Sequence, residues 1–364
     1  MGKRIVICVD GTWNTPDQRD RGRLSSTNVA KMAEAIAPRD KKGMNQLVYY
    51  DKGVGTGRLD RLCGGVFGYG LSERLENAYR FLVEHFQEDD EIYLFGFSRG
   101  AYAVRSLAGF IYNSGLLRKE WISKFNDAHR LYRRRDDASK PSAVEARLFR
   151  KSFARAITIK LVGVWDTVGA LGIPPLLKLD ITLFDKRFTI DSNIANKRWQ
   201  FHDVTVAKHI ENAFHALAID EVRKPYEPSV WKQQPDARAQ RLEQAWFAGA
   251  HCNIGGGYND TGLSDIAFLW MKDKAEECGL AFDYDYMREN VRPNAVGELR
   301  KARTGWFKLL PHCLRPIGSS NETVHESALE RMAKVAGYAP DNLIAYLQDH
   351  KSRQSVGCAY QRAA

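Results

Sequence analysis

The sequence lacks the features that mark a membrane-spanning chain, a secreted disulfide framework or a zinc site. Its apolar runs fall well short of the roughly 20 residues that a transmembrane helix needs. The apolar run near the start is too short for a signal peptide and reaches Asp10 without a cleavage site of small residues. The six cysteines have no paired spacing, which argues against zinc binding and structural disulfides. We therefore expect a chain that is made in the cytoplasm, with no signal peptide or transmembrane helix.

The composition is that of an ordinary globular protein, but the charge is unevenly distributed. Apolar residues make up 44% and charged residues 27% of the 364 residues, which excludes a disordered or collagen-like chain. The net charge is +10, and residues 118–155 hold twelve Lys or Arg against five Asp or Glu. Such a surplus is typical of a surface that binds an anionic membrane, nucleic acid or an acidic partner, and equally of a solvated helix face. Because Tyr132 is one aromatic beside the arginine run 133–135, no nucleic-acid partner is predicted.

Strands and helices are predicted to alternate along the chain. Short apolar runs predict buried strands, and apolar positions at helical spacing predict helices between them. The order predicts an α/β fold with a mainly parallel central sheet covered by helices on both faces, and a single domain over residues 1–364. The predicted strands are 5–10, 47–51, 91–96, 157–165 and 245–250, and the predicted helices are 72–87, 101–111, 207–218, 264–279, 325–336 and 340–350.

Three segments stand outside this alternation. Residues 53–70 contain seven glycines and are predicted to form a mobile loop near a site. Residues 118–155 are predicted to be a basic helical insertion, a candidate lid or a surface that faces a membrane or a partner. Residues 285–364 are predicted to be a helical extension packed on the core.

The pentapeptide Gly96-Phe97-Ser98-Arg99-Gly100 has the spacing of a nucleophile elbow. It lies between a predicted strand and a predicted helix, which is the context that the motif requires. The sharp turn strains the backbone at the serine, and the flanking glycines relieve the crowding. It also directs N–H groups of the helix start toward an oxyanion that forms there. Ser98 is therefore the candidate nucleophile, and the backbone N–H of Arg99 is a candidate oxyanion donor.

A serine nucleophile needs a base, and the base needs an acid that orients it. In hydrolases with this elbow the chain order is serine, acid, histidine, each just past a strand end. Asp166 and His251 follow predicted strands in that order, and His325 is the alternative base. The remaining histidines are weaker candidates: His85 and His129 on predicted helices, His202 in a loop, and His209 and His215 on one predicted helix without metal-ligand spacing.

One aspartate and several glycines are predicted to shape the site. Asp10 ends the first strand and is expected to hold the loop 10–14 through side-chain-to-backbone hydrogen bonds. That loop is the candidate source of a second oxyanion N–H, from Gly11 or Thr12. Gly255, the first of three consecutive glycines, permits a tight turn beside His251. The glycine run 53–57 lacks the endings of nucleotide-binding loops, so no nucleotide, metal or other cofactor is predicted.

Six motifs between residues 5 and about 280 resemble, in order, a bacterial and fungal family defined as a domain of unknown function. They are VDGTWN at 9–14, TNV at 27–29, YDKGVGTG at 50–57, GFSRGAY at 96–102, GVWDTVG at 163–169 and WFAGAH at 246–251. This family includes the catalytic domain of the first class of type VI secretion lipase effectors, which are phospholipases. The resemblance implies an α/β-hydrolase fold with a triad of Ser98, Asp166 and His251.

One position departs from the pattern of that family. The family has Asp two residues after the histidine, where this sequence has Asn253. If that Asp orients the histidine or sets the charge of the site, we expect the neutral amide to lower activity while the fold survives. The larger effectors also carry membrane-anchoring modules, for which this chain has little room.

Together these features predict a serine hydrolase that cleaves carboxylic esters through an acyl-enzyme. The favoured function is that of a phospholipase A-type lipase. The expected partners are a phospholipid or other acyl-ester substrate, a peripheral membrane contact, and an adaptor or immunity protein of a type VI system that exports the chain. Two alternatives stay open. One is an esterase of small soluble esters, and the other is a degenerate hydrolase fold acting as a binding module, which Asn253 motivates.

Overall fold

A seven-stranded sheet forms the centre of the computed structural model, which describes residues 2–11, 14–15, 17–53, 64–134, 136–168, 178–183, 186–191, 205–303, 312–318 and 321–349. All neighbouring strands of the sheet are parallel, in the spatial order β7-β6-β5-β4-β3-β1-β2. Because the carboxyl ends of parallel strands share one edge, the segments that follow the strands meet there. The strands are β1 (Arg4–Val9), β2 (Gln46–Asp51), β3 (Glu91–Phe97), β4 (Ile159–Trp165), β5 (Ile210–Ala218), β6 (Arg241–Phe247) and β7 (Glu322–Val324).

Helices cover both faces of the sheet. The side chain of Thr27 accepts a hydrogen bond from the N–H of Ala30 and so caps the first helix, as a threonine at that position does. The helices are α1 (Asn28–Ala35), α2 (Gly64–His85), α3 (Arg99–Ser114), α4 (Phe125–Arg133), α5 (Val144–Phe153), α6 (His251–Gly255), α7 (Gly262–Glu277), α8 (Tyr284–Asn290), α9 (Glu326–Lys334) and α10 (341–349).

Successive side chains of each strand enter two different apolar cores. On one face Ile5 and Leu94 pack among side chains of α2 and α3. On the other face Val6, Phe95 and Trp165 pack among side chains of α1 and α7. Strands buried on both faces are apolar along their whole length, which is why the sequence predicts β1, β3 and β4 to within two residues at each end. The edge strand β2, which is mostly half-buried, is also predicted to within one residue.

The prediction of a helix over residues 207–218 is wrong. Ile210–Ala218 is strand β5, which pairs with β4 on one side and β6 on the other. Its last six residues are all buried. A short apolar run of this kind is compatible with a buried strand and with a buried helix, and the period of the pattern does not separate them. His215 therefore lies inside the sheet, where it is fully buried.

Two other segments differ from their predictions. Residues 64–70, the last part of the glycine-rich stretch, begin α2, whereas residues 54–63 lie outside the described residues. Each glycine costs a helix only about 1 kcal/mol, and the remainder of α2 buries Leu75, Tyr79 and Leu82 in the core. The described part of the predicted helical extension 285–364 holds α9 and α10, but it also contributes β7, which pairs with β6 at the edge of the sheet.

The basic insertion 118–155 packs on the end of α3 that is remote from Ser98. Its base is closed by an antiparallel pair of two-residue strands, Leu116–Leu117 with Ala154–Arg155. Phe110 of α3 contacts the rings of Phe125 and His129 of α4, with centroids 5.7 and 5.8 Å apart. At 1.5 Å of rise per residue, Phe110 lies about 18 Å further along α3 than Ser98.

Short elements complete the described structure. Arg19–Asp20 pairs with Arg23–Leu24, and Lys178–Leu183 pairs with Lys186–Asp191, each pair antiparallel. Single 3₁₀ turns occupy Lys119–Lys124, Asp137–Ser139 and Lys224–Tyr226. Within the described ranges, no helix combines the length and the hydrophobicity needed to cross a bilayer.

Candidate active site

Three side chains predicted from the sequence meet at the carboxyl edge of the sheet. Ser98 follows β3, Asp166 follows β4 and His251 follows β6. The Nε2 atom of His251 lies 2.8 Å from Oγ of Ser98, and its Nδ1 atom lies 2.6 Å from Oδ2 of Asp166. This chain of hydrogen bonds has the geometry in which an imidazole can take the proton of a serine hydroxyl.

The turn at Ser98 is strained in the way that the pentapeptide predicts. Ser98 has φ 58° and ψ −119°, a backbone conformation that residues with a side chain rarely adopt. A Cβ atom on Gly96 would lie 2.6 Å from the carbonyl oxygen of Gly100, and one on Gly100 would lie 2.1 Å from that of Val9. The two glycines therefore let the start of α3 pack directly against the ends of β1 and β3.

Asp166 is fully buried and surrounded by donors. Its Oδ1 atom accepts from the N–H of Ala218 at 3.1 Å and from Nη1 of Arg315 at 2.6 Å, and its Oδ2 atom accepts from Nη2 of Arg315 at 3.1 Å. Burial acts to raise the pKa of this carboxyl, but the Arg315 charge and the hydrogen bond from His251 outweigh it and hold the pKa below its ordinary value. Asp166 is therefore ionised at neutral pH.

His251 is enclosed by two aromatic rings and one buried carboxylate. The ring of Phe97 lies 4.6 Å from the imidazole, and that of Tyr226 lies 5.0 Å from it at a steep angle. The backbone N–H of His251 donates to Oε2 of Glu221 at 3.3 Å. Burial lowers the pKa of His251 and Asp166 partly restores it, so the net shift is downward. The imidazole is thus neutral near pH 7 and able to accept a proton.

Arg315 and Glu221 are the two members of this cluster that sequence reasoning missed. Glu221 is buried and accepts from the N–H, Nε and Nη2 atoms of Arg223 at 2.7 to 2.9 Å. Arg315 is 1% exposed and lies in a segment without regular structure. Neither residue stands in a motif or at a predicted strand end, so no local signal in the sequence identifies it.

The predicted oxyanion donors have different positions in the structure. Arg99 opens α3, and the first N–H groups of a helix point toward its start. The N–H of Gly11 instead donates to Oδ1 of Asp10 at 2.7 Å, so in this arrangement it is not directed at an oxyanion. A Cβ atom on Gly11 would nevertheless lie 3.3 Å from Cβ of Ser98, so the loop passes close to the serine. Thr12 lies outside the described residues.

Asp10 holds the loop after β1. Its Oδ1 atom accepts from Gly11 and, at 3.3 Å, from the side chain of Asn14. Its Oδ2 atom accepts from the hydroxyls of Thr27 at 2.5 Å and Tyr50 at 2.9 Å. Burial raises the pKa of this carboxyl, and the hydrogen bonds offset only part of that rise. Asp10 therefore anchors the loop to α1 and β2 through neutral donors.

Asn253 supports the backbone around the histidine. Its Oδ1 atom accepts from the N–H of Ala250 at 3.3 Å and from that of Arg300 at 3.4 Å, and its Nδ2 atom donates to the carbonyl of Glu298 at 3.0 Å. These contacts cap α6 and fasten the segment 298–300 to it. An aspartate here could not donate to the Glu298 carbonyl, so the amide suits the contacts that this chain makes.

Gly255 is required by a close approach rather than by backbone conformation. A Cβ atom there would lie 2.0 to 2.3 Å from three ring atoms of Phe97. The same ring contacts His251, so Gly255 lets α6 seat the histidine against the end of β3. The alternative base, His325, caps α9 and stacks on Phe247 with centroids 4.6 Å apart.

The described residues contain no group of three or more His, Cys, Asp and Glu side chains placed to hold a metal ion. His209 is half-buried and stacks on Tyr112 with centroids 5.1 Å apart, and His215 accepts from the N–H of Thr167 at 3.1 Å. A cavity of about 610 Å³ lies between the remote half of α3 and the insertion, with Tyr112, Tyr132 and Trp231 in its wall.

A parallel sheet of this order, with a serine on a strained strand-to-helix turn and an acid and a histidine after later strands, defines the class: the protein is an α/β-hydrolase. Residues 3–274 match the family described as "T6SS, Phospholipase effector Tle1-like, catalytic domain". Because the match covers most of the chain, the protein belongs to this family. The match ends before Arg315, so that residue lies outside the matched residues.

Individual proteins show more distant similarity. An uncharacterised protein of Saccharomyces cerevisiae, YEL023C, is 28% identical over 258 residues, which are 64% of this chain and 33% of that protein. The chain thus spans about a third of the length of that relative. An uncharacterised Pseudomonas aeruginosa protein is 17% identical with a TM-score of 0.42, over 78% of this chain and 47% of that one. The Tle1 effector bound to the VgrG spike is 19% identical with a TM-score of 0.36, over 72% and 52%. Neither structure is similar enough to support an argument about this chain.

Proposed function

We propose that the protein is a serine hydrolase that cleaves carboxylic esters through an acyl-enzyme, with Ser98 as nucleophile. The observation that carries the proposal is the hydrogen-bonded series from Ser98 through His251 to Asp166, with heavy-atom distances of 2.8 and 2.6 Å. Both distances lie within the range of a working nucleophile, base and orienting acid. The same residues occupy the positions that the family motifs assign to the triad.

The reaction uses one proton shuttle and two acyl transfers. His251 Nε2 takes the hydroxyl proton of Ser98 as Oγ attacks the ester carbonyl, and the proton then passes to the leaving alcohol oxygen as the C–O bond breaks. Water next attacks the acyl-enzyme in the same manner, which releases the carboxylic acid and restores Ser98. Asp166 holds the Nδ1–H tautomer of the imidazole and stabilises its transient positive charge.

The oxyanion of each tetrahedral intermediate needs donors that are already in place. The backbone N–H of Arg99 is our first candidate, because it belongs to the opening turn of α3 next to the nucleophile. A second donor from the loop after β1 is consistent with the closeness of Gly11 to Ser98. For Gly11 itself to serve, its N–H must leave the carboxylate of Asp10.

The family description supports a phospholipid as the substrate class. Because the proposed serine mechanism cleaves carboxylic esters, we propose that the protein is a phospholipase A-type lipase. The family description also supports a role as an effector of a type VI system. We further propose that the partners are an adaptor of that machine and an immunity protein. The basic insertion would favour an anionic bilayer, and this attraction falls as salt rises.

The first test compares the wild-type protein with Ser98→Ala and with Ser106→Ala, a buried serine further along α3. Each protein is incubated with mixed phospholipid vesicles, and released fatty acids and lysolipids are measured by mass spectrometry. Release by the wild type and Ser106→Ala but not by Ser98→Ala is expected. The lysolipids formed identify the acyl position that is cut.

Two other outcomes separate the alternatives. If only a short soluble ester is cleaved, and the rate does not rise above its micelle threshold, the protein is an esterase and the lipid assignment is wrong. If neither substrate is cleaved and a serine-directed fluorophosphonate does not label Ser98, the binding-module alternative replaces the enzyme. Asn253→Asp then tests whether the departure from the family pattern is the cause.

A further inference from the structure

We propose that Arg315 is a positioning residue for the reaction assigned above, because it holds both carboxylate oxygens of Asp166 in the orientation that His251 needs. The inference rests on the proposed function of Ser98. It extends the working site to a segment beyond the residues that match the family, 3–274. Arg315 touches no reacting atom, so it acts through Asp166.

The contact between Arg315 and Asp166 is a two-pronged ion pair. The Nη1 atom lies 2.6 Å from Oδ1, and the Nη2 atom lies 3.1 Å from Oδ2. Both side chains are almost completely buried, with 1% and 0% exposure. A planar guanidinium that meets a carboxylate in this way fixes its rotation as well as neutralising its charge.

The guanidinium is itself held in place. Nη1 also donates to the carbonyl of Ala218 at 3.0 Å, and Nη2 also donates to the carbonyl of Tyr226. The backbone of Arg315 is fixed in turn, since the side chain of Asn342 donates to its carbonyl at 3.0 Å. Arg315 therefore links the acid to the segment whose Tyr226 ring packs on His251.

The charged groups around His251 divide into two pairs. Glu221 approaches its backbone N–H and is paired with Arg223, which lies over the ring of Tyr226. Asp166 approaches its Nδ1 atom and is paired with Arg315. Tyr226 and the thiol of Cys252 also face this part of the site, and burial raises the pKa of both. The Arg99 guanidinium acts on Tyr226, and Tyr258 acts on Cys252. Each carboxylate near the imidazole thus has its own arginine.

Loss of Arg315 has two consequences for the proposed base. The carboxylate of Asp166 becomes free to rotate away from Nδ1. The Asp166–His251 pair also loses a neighbouring positive charge, so it binds its proton more tightly and the apparent pKa of the pair rises. Less of the neutral imidazole is then present near pH 7, and the acid limb of the pH profile moves upward.

The test measures the rate at which a fluorophosphonate inactivates the protein between pH 5 and 9. Arg315→Met is expected to slow inactivation by roughly 10- to 100-fold, as other groups that orient a catalytic side chain do. It is also expected to raise the midpoint of the acid limb by about one pH unit. Arg315→Lys keeps the charge but loses the fork, so we expect a smaller fall in rate with the midpoint near that of the wild type.

The matched control is Arg331→Met. Arg331 is another buried arginine of the C-terminal segment, and its Nη1 atom donates to the carbonyls of Ala295 and Gly297 at 2.8 Å. Its loss is expected to lower the unfolding temperature without moving the acid limb. An equal midpoint shift in this control, or an unchanged rate and midpoint in folded Arg315→Met, overturns the proposal. If Arg315→Met does not fold, an unchanged rate in Arg315→Lys overturns it.

Failure of the proposed function gives a different result. A wild-type protein that the fluorophosphonate does not label at Ser98 refutes the serine hydrolase, whatever Arg315 does. The role of Arg315 is then measured from the NMR titration of the His251 imidazole, which needs no activity. A rise of the midpoint in Arg315→Met relative to the wild type supports the inference, and an unchanged midpoint refutes it.

Discussion

Two carboxylates at the same edge of the sheet, Asp10 and Asp166, have opposite surroundings. Both follow buried strands and both are fully buried. The side-chain oxygens of Asp10 accept from neutral donors, two of them hydroxyls, while the guanidinium of Arg74 donates to its backbone carbonyl at 2.7 Å, and the pKa of the carboxyl is raised. Asp166 is surrounded by the Arg315 guanidinium and the His251 imidazole, and its pKa is lowered. The position of an acid after a strand therefore does not define its role, whereas the charge of its partners does.

The two sets of partners give the two carboxyl groups different roles: Asp10 anchors a loop, and Asp166 provides a negative charge beside His251. Neutral donors satisfy the lone pairs of Asp10 but compensate little of the cost of an ionised group in the interior. Arg315 compensates that cost for Asp166, which keeps a negative charge beside the imidazole. We accordingly expect Asp10 to matter most for stability and Asp166 most for turnover.

The largest expected effect distinguishes the two acids by activity. Asp166→Asn should reduce kcat by about 10⁴-fold, because the amide can present its N–H to Nδ1 and favour the wrong tautomer of His251. Asp10→Asn should reduce kcat by less than about 10-fold, since it touches no member of the hydrogen-bonded series. Ester hydrolysis by purified proteins of matched folded fraction measures both. Equal losses in the two variants would abolish the distinction.

The next effect distinguishes them by stability. Asp10→Ala leaves the donors of Gly11, Thr27 and Tyr50 without their acceptor, and we expect a loss of about 3 kcal/mol in the free energy of unfolding. Denaturation by urea, followed by tryptophan fluorescence, gives this value. The matched substitution Asn14→Ala removes one weaker donor from the same carboxylate, and a comparable loss there would show that the network around Asp10 is not what stabilises the loop.

The pH dependence of stability should have opposite signs for the two acids. The folded-state pKa of Asp166 is lowered, so its contribution is present above the unfolded pKa of about 3.9 and is lost as pH falls through the folded value. The folded-state pKa of Asp10 is raised, so its contribution is present below about pH 3.9 and is lost as pH rises through the folded value. Relative to the wild type, Asp166→Asn should therefore become more destabilising with rising pH, and Asp10→Asn less. Urea unfolding at a series of pH values measures how the destabilisation caused by each variant changes with pH. Changes of the same sign in the two variants would contradict the comparison.

The smallest effect concerns a single donor. Tyr50→Phe removes one hydroxyl from Asp10, and the expected cost is about 1 kcal/mol in the free energy of unfolding with kcat unchanged. Tyr49→Phe is the control, because the hydroxyl of Tyr49 lies 3.4 Å from Asp51 and does not reach Asp10. A Tyr50→Phe protein that loses activity but not stability would move Asp10 from the anchoring role to the catalytic one.

The sequence predicts the part of the site that local backbone geometry and strand ends determine. The glycines around Ser98 mark the elbow because no other residue fits there, and Asp166 follows the apolar run of β4. The strand before His251 is predicted at 245–250 but lies at Arg241–Phe247, because its first half is polar. The structure brings these side chains within hydrogen-bonding distance. Their catalytic roles stay a proposal.

What the sequence does not predict depends on tertiary packing. The apolar run of β5 is equally compatible with a buried helix, and its neighbours β4 and β6 decide the outcome. The three residues of β7 are too few to show a pattern, so the extension was expected to be helical only. The importance of Arg315 comes from its contact with Asp166, a residue 149 positions away in the sequence. The residues next to Arg315 in the sequence do not predict that contact.

That sequence separation has a consequence for the order in which the protein is made. Chains emerge from the ribosome with the amino terminus first. Ser98, Asp166 and His251 are therefore all synthesised before Arg315. The carboxylate of Asp166 has no neutralising partner from Arg315 until that residue has been synthesised. The carboxyl edge of the sheet reaches its final state only when the segment 312–318 docks, so this docking follows the synthesis of all three side chains of the hydrogen-bonded series.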